Sequence, residues 1–185
     1  MKNFLINDEK LSIKMQIEQF LRANLQNEIP IIVCIGTDAV TGDSLGPLVG
    51  SMLKAKLLGK TYVFGTVDCP ITAYDVAAVS QFVKNAYPDT PILAIDAALG
   101  QRHEIGKIKT SLSPIKPGLG VDKRLAEIGS LSIIGIVEEK GNRFLSSVRL
   151  SLVYNMAEII STAIESYIKS CVTSKDRRVF QIVNK

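Results

Sequence analysis

The stretch 31–53, IIVCIGTDAVTGDSLGPLVGSML, most constrains what this chain can fold into. It opens with five apolar residues, a run short enough for one buried strand, and Gly36 ends that run. A polar loop follows, and apolar residues then recur at helical spacing: Leu45, Leu48, Val49, Met52 and Leu53. The sequence therefore predicts a strand, a glycine-bracketed loop and a helix that begins near Asp43. A carboxylate at that point is either an N-cap, the usual role of an isolated aspartate, or part of an active-site edge.

A second aspartate follows another buried run. Residues 92–95 are apolar, and Asp96 comes directly after them. Strand-like and helix-like segments alternate along the chain, which is typical of a mainly parallel sheet with helices on both faces. Because the carboxyl ends of parallel strands lie at one edge of a sheet, we expect Asp43 and Asp96 to face each other across a small cleft there.

The remaining segments fit a single α/β domain over residues 1–185. Apolar residues at helical spacing predict helices at 9–26, 72–86 and 148–168, and β-rich runs predict strands at 61–66 and 130–137. Segment 106–113 alternates and predicts an edge strand or one arm of a hairpin, 115–120 reads as irregular, and a turn is expected at residues 141 and 142. The helix that follows Asp43 is expected to end near residue 58, before Gly59. Within this domain we expect an N-terminal helix, a core over 31–170 and a basic tail over 175–185.

Composition and charge argue against some classes of binding partner and favour one cellular compartment. The formal net charge of the 185 residues is +4, but the last eleven residues carry +3 of it, so the body is nearly neutral and we expect no nucleic-acid partner. No apolar run approaches the ~20 residues that cross a bilayer, and the N-terminus has acids where a secretory signal is apolar. Three cysteines without CxxC spacing favour a reducing, cytoplasmic compartment.

Two neighbouring carboxylates support two kinds of chemistry. They share a proton, so that one acts as base and the other as proton donor when water attacks a carbonyl. Alternatively they bind a divalent metal through oxygen ligands, with Asp38 of the same loop as a third ligand. The first alternative needs no cofactor. A Ser-His-Asp or Cys-His set depends on the only histidine, His103, whose polar loop favours a solvated or at most an auxiliary role.

Three motifs resemble a known family. GTDAVTGDSLGP resembles the motif around the first catalytic aspartate of the spore germination protease, AIDAALG resembles the segment around its second essential aspartate, and IKPGLGVDKRLAEIG is similar to its Pro-Gly-Ser-Gly-Val-Gly stretch. The sequence is more similar to the YyaC-type sporulation proteins, short relatives of that protease. The resemblance implies a phosphorylase/hydrolase-like three-layer α/β/α sandwich, shared with the hydrogenase maturation peptidases. One departure is Gly42, which stands where the protease motif has proline and is expected to loosen the turn.

By resemblance, Asp43 and Asp96 are the catalytic dyad of a cytoplasmic peptidase-like hydrolase of sporulating bacteria, acting on a peptide or protein. Thr41 and Ser44 are expected to orient the loop by hydrogen bonds. The candidate binding residues are Gly36, Asp38, Thr41, Ser44 and His103. Two alternatives stay open: a metal-dependent maturation-type peptidase with Asp38, Asp43 and Asp96 as ligands, and an inactive sporulation protein that binds a peptide or a partner. The apolar face of 148–168 serves core packing or a homo-oligomer, and no membrane partner is expected.

Overall fold

The computed structural model describes the backbone of residues 2–116, 127–141 and 145–183, and the side chains of 9–116, 127–141 and 145–173. Its helices are α1 (Lys2–Leu25), α2 (Leu45–Lys54), α3 (Val76–Ala86) and α4 (Leu150–Val183). Its strands are β1 (Ile31–Cys34), β2 (Val63–Phe64), β3 (Ile92–Gly100), β4 (Ile108–Ser111) and β5 (Leu131–Glu139). Single 3-10 turns cover Thr41–Asp43, Arg102–Glu104 and Leu145–Ser147.

The five strands form one mixed sheet with the order β2-β1-β3-β5-β4. All neighbouring pairs are parallel except β4, which runs antiparallel to β5 at one edge. Segment 106–113 is therefore an edge strand, one of the two alternatives that its alternation predicted. The carboxyl ends of β1, β2, β3 and β5 meet at one edge of the sheet, as the sequence pattern required.

Helices cover both faces of the sheet in three layers. Alternate residues of β1 and β3 point to opposite faces: Ile32, Cys34, Leu93 and Ile95 pack with α1, α2 and α4, whereas Ile31, Val33, Ile92 and Ala94 pack with α3. The predicted fold class, a three-layer α/β/α sandwich with a mainly parallel sheet, is confirmed.

Strand β3 is longer than the run 92–95 that predicted it. It pairs with β1 only as far as Ile95, which lies opposite Cys34, but it pairs with β5 through Gly100. The prediction that Asp96 ends the strand is therefore wrong. Asp96 lies within β3, one residue beyond the last residue of β3 that pairs with β1. From Asp96 onward, β3 pairs with β5 but no longer with β1.

Three other elements are shorter than predicted. Helix α3 begins at Val76 and not at Thr72, because the Asp75 carboxylate accepts hydrogen bonds from the Thr72 N–H (2.9 Å) and hydroxyl (2.7 Å) and holds a turn there. Strand β2 keeps two residues of the predicted 61–66, and Gly65 follows with a φ of 82°. Helix α2 ends at Lys54, with turns through Lys60 in place of its predicted last turn.

The first and last helices are longer than predicted. Helix α1 begins at Lys2 and ends at Leu25, where Gln26 and Asn27 adopt positive φ values of 47° and 70°. Helix α4 runs to Val183, so most of the predicted basic tail continues its backbone. Residues 117–120 of the predicted irregular segment and residue 142 of the predicted turn lie outside the described residues. Among the described helices, none is long and apolar enough to cross a membrane.

Candidate active site

Asp96 is a buried carboxyl group in the middle of the sheet. Its side chain is 9% exposed, and strand alternation places it on the α3 face, in the same row as Ala94. Its register partner in β5 is Ile134. The Ala97 N–H donates a 2.8 Å hydrogen bond to its Oδ1. Among the ion pairs of the described side chains, none includes Asp96, so no cation offsets the cost of ionising it there.

Asp43 ends the 3-10 turn that follows β1, and its side chain is half-buried. The backbone holds it from both sides. Its N–H donates to the Val40 carbonyl at 2.9 Å, and its own carbonyl accepts a 3.1 Å bond from the Thr37 N–H. The position of Asp43 above the end of β1 is therefore set by main-chain bonds, which do not depend on the conformation of its side chain.

Gly36 makes that position available. Its φ is 133°, and a Cβ atom there would lie 2.0 Å from the Asp43 carbonyl oxygen. The Gly36 N–H donates to the Ile71 carbonyl at 2.8 Å, which ties the end of β1 to the loop after β2. The candidate role of Gly36 is thus steric, because only glycine lets the loop close back onto the strand.

Gly42 is buried beneath the segment that leads into α4. A Cβ atom on Gly42 would lie 2.9 Å from the Leu145 carbonyl oxygen and 3.1 Å from Cγ2 of Val148. The expectation that glycine loosens the turn in place of proline misses this contact. The absence of a side chain lets another part of the chain pack directly against the loop, which restrains it from outside.

The two carboxyl groups interact electrostatically. Burial raises the pKa of Asp96 well above its ordinary value, and the negative charge of Asp43 raises it further, while the Ala97 N–H opposes the shift. Burial also raises the pKa of Asp43, to about 6, against the opposing effect of the Thr37 N–H. The repulsion between the two negative charges is therefore expressed in the pKa of Asp96. The structure thus brings Asp43 and Asp96 within electrostatic range of each other, and the pKa of each carboxyl group lies above its ordinary value.

Ser44 and Thr41 stabilise the turn. The Ser44 hydroxyl donates to the Thr41 carbonyl at 2.7 Å, and the Ser44 N–H donates to the same oxygen at 3.3 Å. The predicted orientation by hydrogen bonds is present, and Thr41 takes part through its carbonyl oxygen. Ser44, not Asp43, is the N-cap of α2, and it makes no capping bond with its side chain. The carboxylate of Asp43 therefore does not serve as the N-cap of α2.

The other two candidate residues lie apart from the pair. Asp38 is exposed in the loop after β1, and His103 is exposed in the turn Arg102–Glu104. From Asp96 to Gly100, β3 carries the chain roughly 13 Å away before that turn begins, at about 3.3 Å per residue. Among the described side chains, no group of three or more His, Cys, Asp or Glu gathers to hold a metal ion. The donors present do not fit a metal centre built on Asp38, Asp43 and Asp96.

Sequence reasoning missed the contact of Leu145 and Val148 with Gly42. These residues are separated by about one hundred positions, and neither belongs to a motif. The one local signal is Gly42 itself, because a glycine has no Cβ atom and so allows close approach of another segment.

Comparisons with known proteins agree with this fold. The structure resembles that of the [NiFe] hydrogenase maturation protease HycI from Thermococcus kodakarensis KOD1, with a TM-score of 0.54, 17% identity, and coverage of 81% of this chain and 99% of that one. At that identity the likeness shows a shared fold. The uncharacterized protein YyaC of Bacillus subtilis (strain 168) is 38% identical over 152 residues, 79% of this chain and 74% of YyaC. The predicted relationship to YyaC-type proteins and to the maturation-protease fold is confirmed. Residues 5–163 match the family described as "Protein of unknown function (DUF1256)", and the chain belongs to that family.

Proposed function

We propose that this protein is a peptidase-like hydrolase in which Asp43 and Asp96 activate water for attack on a peptide bond. The observation that carries the proposal is the position of Asp96. It is an almost fully buried carboxyl group without a described cationic partner, and the charge that raises its pKa is that of a second carboxyl group, Asp43. Such an arrangement lowers the stability of a fold at neutral pH, and paired carboxyl groups with raised pKa values are typical of acid–base sites.

The different environments of Asp43 and Asp96 give the two carboxyl groups different roles. Asp43 is the more exposed group and has a pKa of about 6, so it is mostly ionised at neutral pH and serves as the base. Asp96 is the more buried group, and its pKa lies well above the ordinary range, so it keeps its proton and serves as the acid.

The reaction balances without an outside reagent. Asp43 takes a proton from water as the water oxygen bonds to the carbonyl carbon, and Asp96 gives its proton to the carbonyl oxygen. The resulting tetrahedral intermediate collapses when the C–N bond breaks and the departing nitrogen receives the proton held by Asp43. The hydroxyl proton returns to Asp96, so one water is consumed and both carboxyl groups recover their starting states.

Two comparisons support this class of reaction. The structural neighbour HycI is named a hydrogenase maturation protease, and the motifs around both aspartates resemble those of the spore germination protease. We extend the proposal to a peptide or protein substrate in the cytoplasm of a sporulating cell. The three cysteines, all free, are compatible with a reducing compartment. The chemistry is assigned to the two acids alone, because the described donors do not fit a metal.

The test is cleavage of unstructured protein. Wild type, Asp43→Asn, Asp96→Asn and the matched control Asp89→Asn are incubated with reduced, carboxymethylated casein in water enriched in oxygen-18. New carboxyl termini that carry the heavy isotope, formed by wild type and Asp89→Asn but reduced at least about a hundredfold in the two site variants, support the proposal. Equal cleavage by all four proteins contradicts it. Peptide binding by wild type without any cleavage favours the inactive, peptide-binding alternative.

A further inference from the structure

Strand β3 has a free edge beyond the end of β1. Within the ladder, the Ile95 carbonyl accepts a 2.8 Å hydrogen bond from the Ile35 N–H. The next residue that would donate across this pair is Thr37, because alternate residues of a strand face the same neighbour. The Thr37 N–H donates to the Asp43 carbonyl at 3.1 Å instead, so the chain has left the ladder there. Residues 97–100 therefore continue β3 without β1 beside them.

Two residues direct their main-chain groups to this free edge. The even-numbered residues of β3 face β5, since the Ile92 and Gly100 carbonyls both accept hydrogen bonds from that side. Ala97 and Leu99 therefore face the side that β1 has left. Among the described residues, none is bonded to the Ala97 carbonyl or to either main-chain group of Leu99. The strand also changes from buried to half-buried directly after Asp96, so this edge is within reach of a ligand.

The free edge begins at the proposed acid. The Ala97 N–H faces the same side, and it donates a 2.8 Å hydrogen bond to Oδ1 of Asp96. The Asp96 carboxyl group therefore lies at the first main-chain donor of the edge, where an added strand would pass. Asp43 belongs to the turn that follows β1, and that turn packs beside β3. A main chain laid along this edge thus comes close to both carboxyl groups.

An extended peptide is the ligand that fits such an edge. The free groups alternate along β3: the Ala97 carbonyl, the Leu99 N–H and the Leu99 carbonyl. The main chain of another strand offers the complementary groups at the same spacing, and peptides commonly bind by adding a strand to an exposed sheet edge. A helix bonds its own main-chain groups internally and has none to offer along its length. From Asp96 to Gly100 the edge spans roughly 13 Å, which is room for about four extended residues.

We propose that the substrate of the proposed hydrolase binds as an extended strand, hydrogen-bonded to the free edge of β3 at Ala97 and Leu99. The inference rests on the proposed function for calling this peptide a substrate, but the binding itself needs no catalysis. Because the affinity comes from main-chain bonds, recognition tolerates many side chains and requires an unfolded segment of the substrate protein. The arrangement also brings a substrate carbonyl to Asp96, the group that gives its proton to the carbonyl oxygen.

The first experiment measures peptide binding by fluorescence anisotropy on the Asp43→Asn variant, which removes turnover. The probe is a fluorescein-labelled hexapeptide amide of alternating valine and threonine. Two derivatives carry two N-methyl groups each: on the second and fourth residues, which blocks one edge of the peptide, or on the third and fourth, which blocks both. The first derivative should bind like the parent through its intact edge, and the second about tenfold more weakly. Equal binding by the two derivatives overturns the proposal, as does an absence of binding to all three peptides.

Amide exchange measured by NMR on the same variant locates the peptide. Saturation with the parent peptide should slow the exchange of the Leu99 amide about tenfold and leave that of Val63 unchanged. Val63 is the matched control, because the Tyr62 carbonyl bonds to the Ile32 N–H and the next residue of β2 therefore faces outward from the sheet. Slower exchange at Val63 in place of Leu99, or at neither residue, overturns the proposal.

Proline substitutions on that background test the same bond from the side of the protein. Leu99→Pro removes an N–H that faces away from β5, and it should weaken binding of the parent peptide about tenfold. Val63→Pro removes the outward N–H of β2 and should leave binding unchanged. Thermal midpoints check that both variants fold, and amide exchange decides the question if Leu99→Pro does not. Unchanged binding by a folded Leu99→Pro variant contradicts the proposal.

The casein test separates this inference from the proposed function. Binding that depends on the free edge, without Asp-dependent cleavage of casein, would reject the hydrolase and keep the peptide-binding edge. Asp-dependent cleavage, together with equal binding by the two N-methylated derivatives, would keep the hydrolase and reject the edge as its substrate-binding surface.

Discussion

The Leu145 carbonyl oxygen stands 2.9 Å from the point that a Cβ atom on Gly42 would occupy. This contact joins the loop that carries Asp43 to the segment that leads into α4. The loop is held on its other side by Gly36, where a Cβ atom would lie 2.0 Å from the Asp43 carbonyl oxygen. Asp43 is thus held between two close backbone contacts, one at Gly36 and one at Gly42. Both contacts require glycine, because neither position has room for a Cβ atom.

Alanine substitutions at glycine should rank in a set order. Gly36→Ala should cost about 3 kcal/mol or more in the free energy of unfolding, because a positive φ combines with a backbone clash. Gly42→Ala should cost about 1–3 kcal/mol, since its neighbours must move by a few tenths of an ångström. Gly59→Ala, with a φ of 74° and nothing within 4 Å, should cost only the backbone strain of about 1 kcal/mol.

Urea titrations of the three variants provide the measurement. Gly59→Ala is the reference, because it reports strain without a steric contact. A Gly42→Ala variant as stable as wild type, with unchanged casein cleavage, would show that the Leu145 contact does not restrain the Asp43 loop.

The acid pair should make the protein less stable as pH rises. A raised pKa in the folded state means that the folded protein binds protons more tightly than the unfolded chain, so the free energy of unfolding falls as pH rises from about 4. For Asp43 this loss continues as pH rises through its pKa of about 6, and Asp96, whose pKa is raised well above its ordinary value, contributes a loss of the same sign. Asp43→Asn should therefore be more stable than wild type by about 1–3 kcal/mol at pH 8 and nearly equal to it at pH 4. Asp96→Asn should shift in the same direction.

Denaturation at pH 4, 6 and 8 checks this sign. Asp89→Asn removes an exposed acid and should show no such pH-dependent gain. If both site variants are destabilised equally at pH 4 and pH 8, the two carboxyl groups are not costly to ionise in the folded state.

The part of the site that the sequence predicts is the part set by local patterns. A buried run, a glycine and a helix identify the β1–loop–α2 unit, and the rule that parallel strands end at one edge then brings Asp43 near Asp96. The sequence predicts Asp96 at the end of its strand because the apolar run 92–95 stops there. The extension of β3 to Gly100 depends on pairing with β5, a partner more than thirty residues further along the chain. The local pattern of apolar residues gives no information about the pairing of β3 with β5.

The restraint on the loop depends on still longer separations. Nothing near Gly42 in the sequence indicates that Leu145 will cover it, and proline at that position in the protease motif suggests only local stiffness. Similarly, the sequence predicts that α3 begins at Thr72, whereas the Asp75 carboxylate holds that residue in a turn. Hydrogen bonds between side chains and the backbone decide where such a helix begins, and the hydropathy pattern of the sequence does not reveal them.

Ser44→Ala tests the internal bond of the turn. The Ser44 hydroxyl is buried and donates to the Thr41 carbonyl at 2.7 Å, so its removal should cost about 1 kcal/mol. It makes no capping bond to α2, and the usual N-cap penalty should be absent. Ser113→Ala, at an exposed position, is the control. A loss well above 2 kcal/mol in thermal or urea unfolding would indicate a role beyond this bond.

The pH dependence of cleavage tests the assignment of base and acid. With Asp43 as base, kcat/KM should rise about tenfold per pH unit on the acidic side and level off near pH 6, where Asp43 loses its proton. It should fall again at higher pH as Asp96 ionises, because the acid then has no proton to give. Asp89→Asn should reproduce this profile, and Asp43→Asn should lose the acidic limb together with most of the activity. The two apparent pKa values of the pH–rate profile belong to the coupled pair and not to either residue alone. The decisive comparison is therefore between the pH–rate profile of each variant and that of wild type. A rate that is flat from pH 4.5 to 7.5 in wild type would exclude Asp43 as the base, whatever the effect of its replacement on the absolute rate.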